Sequence, residues 1–383
     1  MGAGVSYVLH LGDCLESLRG MADGSVQTCV TSPPYFGLRD YGHAGQIGLE
    51  PTPDAFVARL VDVFRDVRRV LRDDGTLWLN LGDSYAGSGR GGAAGGASST
   101  LEGGQETQGA APRRAVSDSQ REHTPAVRGS RLPPGFHAEH FDAGVVGRAW
   151  VPPPPGFKQK DLIGIPWRVA FALQADGWYL RQDIIWRKPN PMPESVRDRC
   201  TKAHEYLFLL SKSLRYYFDA EAIAEPVAET TKSRLLQPGL ASQLGSDRVP
   251  GKTNGAMKAV GDATGVRNKR SVWDVAMRPY KGAHFATFPP ELVEPCVLAG
   301  APTGGVVLDP FGGSGTTAGV AIALGRRAVL CELNPEYAAL MPKRIASIVA
   351  DYAAQAREAG VPHPAIEVER ENALQLDMFG ALA

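Results

Sequence analysis

Two stretches of this sequence carry residue types and spacings suited to chemistry. The first runs Cys-Val-Thr-Ser-Pro-Pro-Tyr from Cys29 to Tyr35. Val26 to Thr31 is apolar and β-branched enough for a buried strand, and two prolines end it at once because neither can donate to a sheet ladder. Pro33 and Pro34 have fixed φ angles and leave nearby carbonyls unpaired, so Ser32 and Tyr35 are held in one geometry beside free acceptors. Such a corner can grip a hydrogen-bond donor, an amino group for example, under an aromatic lid. Taken alone, the same stretch reads equally well as a strand stopped by a Pro-Pro turn.

The second stretch, Val306 to Ala318, is a buried strand (Val306, Val307, Leu308) that runs through Asp309-Pro310-Phe311-Gly312-Gly313-Ser314-Gly315-Thr316-Thr317 into a helix ending near Leu324. A further strand, Ala328 to Cys331, delivers Glu332. Strand, glycine turn, helix, strand and acid suit an adenosine-bearing ligand, with backbone N–H groups open at a helix N-terminus and the acid placed for ribose hydroxyls. Gly313 to Ala318 also matches a dinucleotide pattern, with Glu332 roughly 20 residues on. A dinucleotide enzyme would continue with more β-α units, whereas barely one helix and a tail remain here. The loop lacks Gly-Lys-Ser/Thr, so it is not a P-loop.

The rest of a sheet must therefore come from the N-terminal half. Tyr7 to Leu11 reads as a strand ending in Gly12-Asp13, where Asp13 is either a ligand contact or an N-cap. A helix of several turns follows from about Ala55 to Leu71, then an Asp73-Asp74-Gly75 turn and a strand from Thr76 to Leu81. Later come a helix with Pro166 near its start and strands at Trp178 to Trp186 and Glu205 to Leu210. A helix from about Glu291 to Leu298 precedes the glycine loop, and Asn334 with Pro335 caps the last one. Residues 85–160 are Gly-, Pro- and Arg-rich with no helical or strand period, which predicts a flexible insertion. His137 and His140 fall inside it and are discounted as metal ligands.

With 383 residues the chain can bury a large core. Its 41 Lys plus Arg balance 41 Asp plus Glu, so any attraction to nucleic acid must use a local basic face. Candidates are Arg187 and Lys188 in a proline-stiffened loop, and Arg267, Lys269 and Arg270 beside Trp273. The five cysteines form no C-x-x-C pair, which speaks against a zinc site or disulfide framework and for a reduced, cytoplasmic protein without metal. No apolar run is long enough to span a membrane.

Ser32-Pro33-Pro34-Tyr35 and Asp309 to Thr317, in that order, resemble the two signature motifs of the amino-group DNA methyltransferases. The order is similar to that of the circularly permuted β class. The resemblance covers most of the chain except 85–160 and the tail. It implies an α/β fold: a doubly wound, mostly parallel seven-stranded sheet with one antiparallel strand, the S-adenosylmethionine-dependent methyltransferase fold, plus a small target-recognition region. The parts would be 1–84, 161–211 and 283–358 of the catalytic domain, the last binding cofactor, with target recognition at 212–282 and a tail at 359–383. S-adenosylmethionine would be held by Asp309, Phe311, Gly312, Gly313, Ser314, Gly315, Thr316 and Thr317. Asp13 would meet its adenine, Glu332 its ribose and the His284 to Pro289 segment, with Phe285, Thr287 and Phe288, its methionine end, while Thr31 and Leu333 would also contact the cofactor.

The residues fit that chemistry independently. An exocyclic amino nitrogen is a poor nucleophile because its lone pair is delocalised into the ring. Ser32 Oγ and a Pro-Pro carbonyl can accept its two N–H bonds and favour a pyramidal nitrogen aimed at a sulfonium methyl. The base must leave the duplex to arrive there, and Tyr35 would stack on it. Cytosine C5 methylation would need a cysteine nucleophile, but Cys296 sits in an apolar helix pattern and reads as core. Ser32, where an Asp could stand, is similar to cytosine-N4 members, with adenine N6 as the alternative. A nicotinamide-dependent oxidoreductase and a non-catalytic DNA-binding module are the competing classes. The expected partner is double-stranded DNA, with a cognate restriction endonuclease left open and the chain either monomer or homodimer. All of this requires the sheet to bring Ser32 to the glycine loop.

Overall fold

The computed structural model describes residues 7–38, 40, 42–43, 45–87, 152–235, 265–278 and 288–370. In chain order the first elements are β1 (Tyr7–Leu11), α1 (Cys14–Arg19), β2 (Val26–Thr31), α2 (Pro53–Val70) and β3 (Leu71–Leu81). Then come α3 (Ile165–Ala175), β4 (Tyr179–Arg187), β5 (His204–Ser211), β6 (Glu225–Pro226), α4 (Glu229–Leu235), β7 (Val266–Arg267) and β8 (Val272–Asp274). The chain closes with α5 (Pro290–Gly300), β9 (Val306–Asp309), α6 (Thr316–Ala323), β10 (Arg327–Glu332) and α7 (Pro335–Ala359).

The main sheet has the strand order β1-β10-β9-β2-β3-β5-β4-β8. Only β5 runs against its neighbours, so the carboxyl ends of β1, β10, β9, β2, β3 and β4 share one edge with the start of β5. Seven strands are those expected. The eighth, β8, extends the sheet from within the 212–282 region by pairing Val272 to Asp274 with Ile185 to Arg187 of β4. Trp273 anchors it, buried against Trp78 at 6.4 Å between ring centroids, and its indole donates to the Arg270 carbonyl at 2.7 Å. An otherwise open edge is covered in this way.

Helices cover both faces. Under α1, α2 and α3 lies one apolar cluster, with Leu18, Phe56, Leu60, Phe64 and Leu173 fully buried. Thr52 caps α2 by accepting from Ala55 N at 3.2 Å, Pro53 starts it, and apolar residues at helical spacing face the sheet. On the other face α5, α6 and α7 pack over a second cluster. All eight residues of α6 are buried. That is possible because they are small: a Cβ on Gly319 would stand 2.7 Å from Ile348 Cδ1 of α7.

Two sequence expectations shift. Leu71 opens β3 rather than closing α2, and Asp73-Asp74-Gly75 is no free turn. It lies within β3 at a register shift against β2, where Gly75 leaves room for the Gln27 carbonyl. The 85–160 segment leaves and returns at one point, where Tyr85 bridges Leu162 and Ala86 N donates to the Asp161 carbonyl at 2.8 Å. Its expected flexibility, and His137 and His140, lie outside the described residues. Among the described residues, no helix is long and apolar enough to cross a membrane, and no His/Cys/Asp/Glu group could hold a metal ion.

Gly319→Val should overpack the α6–α7 contact and lower stability by about 1–3 kcal/mol. Urea unfolding reads it, and an unchanged midpoint would show that the two helices are not in close contact.

Candidate active site

The two motifs meet because β2 and β9 are neighbours, with Cys29 opposite Leu308. At their carboxyl ends Thr31, the residue before Ser32, donates its hydroxyl to Asp309 Oδ1 at 2.6 Å. Thr317, at the start of α6, donates to Asp309 Oδ2 at 2.7 Å, and Phe311 N donates to Oδ1 at 3.0 Å. Here the sheet's winding reverses, with β9 leading through α6 to β10 on one side and β2 through α2 to β3 on the other. Open α/β sheets bind ligands at such a point. The Asp309 carboxyl is fully buried, and burial pushes its pKa up to about 6 against the pull of these three donors.

The glycine loop turns from β9 into α6 and is fastened from below. Glu332, at the end of β10, accepts from Gly313 N at 2.7 Å and from Asn334 N at 2.8 Å. Burial raises its pKa to about 7. Ser314 Oγ and Thr316 Oγ1 are buried with no hydrogen-bond partner among the described residues. Unpaired buried hydroxyls carry a desolvation cost that a polar ligand can relieve. The glycine turn, these hydroxyls and the two buried acids fit the polar functions of S-adenosylmethionine. Leu333 is half-buried beside Glu332, and Phe288 packs on the second core cluster at the start of α5. Phe285 and Thr287 lie outside the described residues. Asp13 caps α1, accepting from Leu15 N at 2.8 Å and Glu16 N at 3.2 Å, with Arg59 at 3.5 Å from its other oxygen.

Across β2 stands the Ser-Pro-Pro-Tyr corner. Gly82, just past β3, lets the Tyr35 ring lie on the backbone, since a Cβ there would fall 2.3 Å from Tyr35 Cε2. The Tyr35 hydroxyl donates to Glu205 Oε2 at 2.6 Å. Ser32 Oγ donates to Asn80 Oδ1 at 3.1 Å, and Asn80 Nδ2 donates to the Tyr206 carbonyl at 3.1 Å and to Glu205 at 3.3 Å. Burial pushes the Glu205 pKa upward, but the Lys188 charge and hydrogen bonds from Lys188, Tyr35 and Asn80 outweigh it and hold the group below its ordinary value. Lys188 also lies 4.4 Å above the Trp186 ring.

Asn80 and Glu205 escaped the sequence reading. The signals were present: a lone amide inside the apolar run Leu77 to Leu81, and an acid heading the apolar strand Leu207 to Leu210. Lys188, expected to meet phosphate or a base, is mostly buried in an ion pair with Glu205. The other basic candidates also have acidic neighbours. Arg187 pairs with Asp274 at 2.6 Å. Arg267, Lys269 and Arg270 all face Glu225, at 3.6, 3.7 and 3.3 Å. Cys296 is buried core, its thiol bonded to the Leu292 carbonyl at 3.3 Å and its pKa pushed well up by burial.

Comparison with known proteins shows the family. The family profile described as DNA methylase matches residues 26–343. The chain is 43% identical over 341 residues to the Type II methyltransferase M.SmaI of Serratia marcescens, covering 89% of this chain and 91% of that one. It is 43% identical over 337 residues to the Type II methyltransferase M.Cfr9I of Citrobacter freundii, covering 88% and 87%. Among solved structures it resembles PvuII DNA methyltransferase (cytosine-N4-specific), with a TM-score of 0.50 at 17% identity over 90% of this chain and 93% of that one.

Because the folded chain holds Asp309 at about 6 against an ordinary 3.8, it binds more proton between those values than the unfolded chain does. Stability is thus lost as pH rises from about 4 to about 6 and stays reduced above, by on the order of 2–3 kcal/mol. Asp309→Asn removes this loss. Urea unfolding should show the variant gaining on the wild type as pH rises through that window, whereas a constant difference would contradict the buried-acid assignment.

Proposed function

The chain belongs to the DNA methylase family of N6 and N4 methyltransferases, and from that premise we propose that it methylates the N4 amino group of a flipped cytosine within a short duplex sequence. It is a Type II DNA methyltransferase and its cofactor is S-adenosylmethionine, which supplies an electrophilic methyl on a sulfonium. The observation that carries the cytosine reading is the first residue of the Ser-Pro-Pro-Tyr motif, which is a neutral serine and not an ionised carboxylate. A hydroxyl suffices as a neutral acceptor, whereas an ionised Asp would be the stronger acceptor for adenine N6.

Ser32 Oγ and a Pro-Pro carbonyl accept the two amino N–H bonds and turn the nitrogen lone pair toward the glycine loop. Tyr35 stacks on the extruded base and offsets its loss of stacking, a few kcal/mol. The short Thr31–Asp309 bond supports a shared cleft, since it ties the chain segment bearing Ser32 to the loop bearing the cofactor residues. Within the cofactor site, Ser314 and Thr316 supply free hydroxyls, Glu332 takes the ribose, and Asp13 and Phe288 reach the adenine and methionine ends. The cations around Glu225, with Arg187, supply the local positive face that a neutral chain needs for DNA, and 212–282 reads the sequence. The Type II names of the relatives support a restriction endonuclease as the counterpart of this activity.

Incubation with labelled S-adenosylmethionine and mixed-sequence DNA, then digestion to nucleosides, should yield N4-methylcytosine. N6-methyladenine would overturn the base assignment, and no methylated base would end the proposal. Ser32→Ala and Tyr35→Ala should each lose on the order of 100-fold or more in turnover while calorimetry shows cofactor binding intact. A Ser32→Ala variant at wild-type rate would rule out the clamp.

A further inference from the structure

We propose that Asn80 and Glu205 are positioning residues that fix the direction of the Ser32 hydroxyl, making Ser32 Oγ an acceptor for the amino group; this rests on the methylation reading above. Hydrogen-bond polarity around Asn80 allows a single arrangement. Glu205 is ionised beside Lys188, and an ionised carboxylate only accepts. The Tyr206 carbonyl also only accepts. Asn80 lies between them, 3.3 Å from Glu205 Oε2 and 3.1 Å from Tyr206 O, so its NH2 must face these two groups. Its carbonyl oxygen is thereby turned to Ser32 Oγ at 3.1 Å. That oxygen cannot donate, so the single Ser32 proton is committed to it. Tyr35 does not compete, because its proton goes to the charged Glu205 oxygen at 2.6 Å, not to Asn80 Oδ1 at 3.2 Å.

The consequence bears directly on the nucleophile. A freely rotating serine hydroxyl could donate to the amino nitrogen and occupy the lone pair that must attack the methyl. With its proton held by Asn80, Ser32 Oγ meets the base only through lone pairs. Hydrogen-bond direction is thus relayed from Lys188 through Glu205 and the Asn80 amide to Ser32, which meets the base as an acceptor.

Single-turnover methyl transfer at about pH 6 to 9 tests this. Asn80→Leu removes both halves of the amide and should slow transfer by about 100-fold or more, with cofactor affinity unchanged. Asn80→Asp gives a sharper readout. The introduced carboxyl faces the Glu205 carboxylate, the Tyr35 phenol and Lys188, with Lys202 and His204 beyond, and the like charge of Glu205 raises its pKa. When protonated it supplies one O–H donor toward the Glu205 carboxylate in place of the two amide N–H bonds and keeps a carbonyl acceptor toward Ser32, whereas when ionised it has no donor for that side at all. Its rate should therefore recover toward wild type as pH falls, a limb the wild type lacks. A merely structural role would not produce that limb. Asn80→Leu within about threefold of wild type, or Asn80→Asp with the wild-type pH profile, would overturn the proposal. If Asn80→Leu fails to fold, the Asn80→Asp profile decides. Wild-type product digests run alongside. Methyl on adenine overturns the base assignment alone, since either amino group needs the same acceptor, and no methylated base overturns both readings.

Discussion

One buried carboxylate joins the two ends of this chain. Asp309 takes hydroxyls from Thr31 and Thr317, residues separated by most of the sequence, in a site with no water-facing surface. Without those donors an acid there would be costly to bury. With them, the end of β2 and the start of α6 are held at hydrogen-bond distance, and Ser32 is set beside the glycine loop as a result. Both acids behind the loop, Asp309 and Glu332, have pKa values raised by burial. In each, burial works against the charged form while the donors around it work in its favour, so the hydrogen bonds that fasten the loop also sustain the acids that accept them.

The catalytic side solves a different electrostatic problem. Glu205 is buried yet stays ionised because Lys188 is paired with it and Tyr35 and Asn80 donate to it. A buried ion pair of this kind contributes little net stability, but it dictates orientation, since every group around it must present a hydrogen. The antiparallel strand β5 makes the arrangement possible. Its first residues arrive at the same edge where the parallel strands end, so an acid at the beginning of one strand meets an amide near the end of another.

The positive charges are distributed with similar economy. Three cations share the Glu225 carboxylate, and Arg187 is paired with Asp274 at the β4–β8 edge. Such pairs on the surface are weak and readily exchanged for other anions. Lys188 is the exception. One residue from Arg187, it turns inward, and its neighbourhood in sequence conveyed nothing of that.

Local signals determined a good deal by themselves. The Pro-Pro stop after β2, the glycine turn after β9, the cap at Asn334, and the apolar periods of α2 and α5 are all decided within a few residues, so they could be read without the fold. The order of the two motifs was legible as well, and with it the family. Only the tertiary structure decided which partners those motifs have. It drew Lys188 off the surface, recruited Asn80 and Glu205, and added β8 to the sheet. Each of these depends on contacts between residues far apart in sequence, whose distances are set by strand order, and strand order leaves no mark on any single stretch of chain.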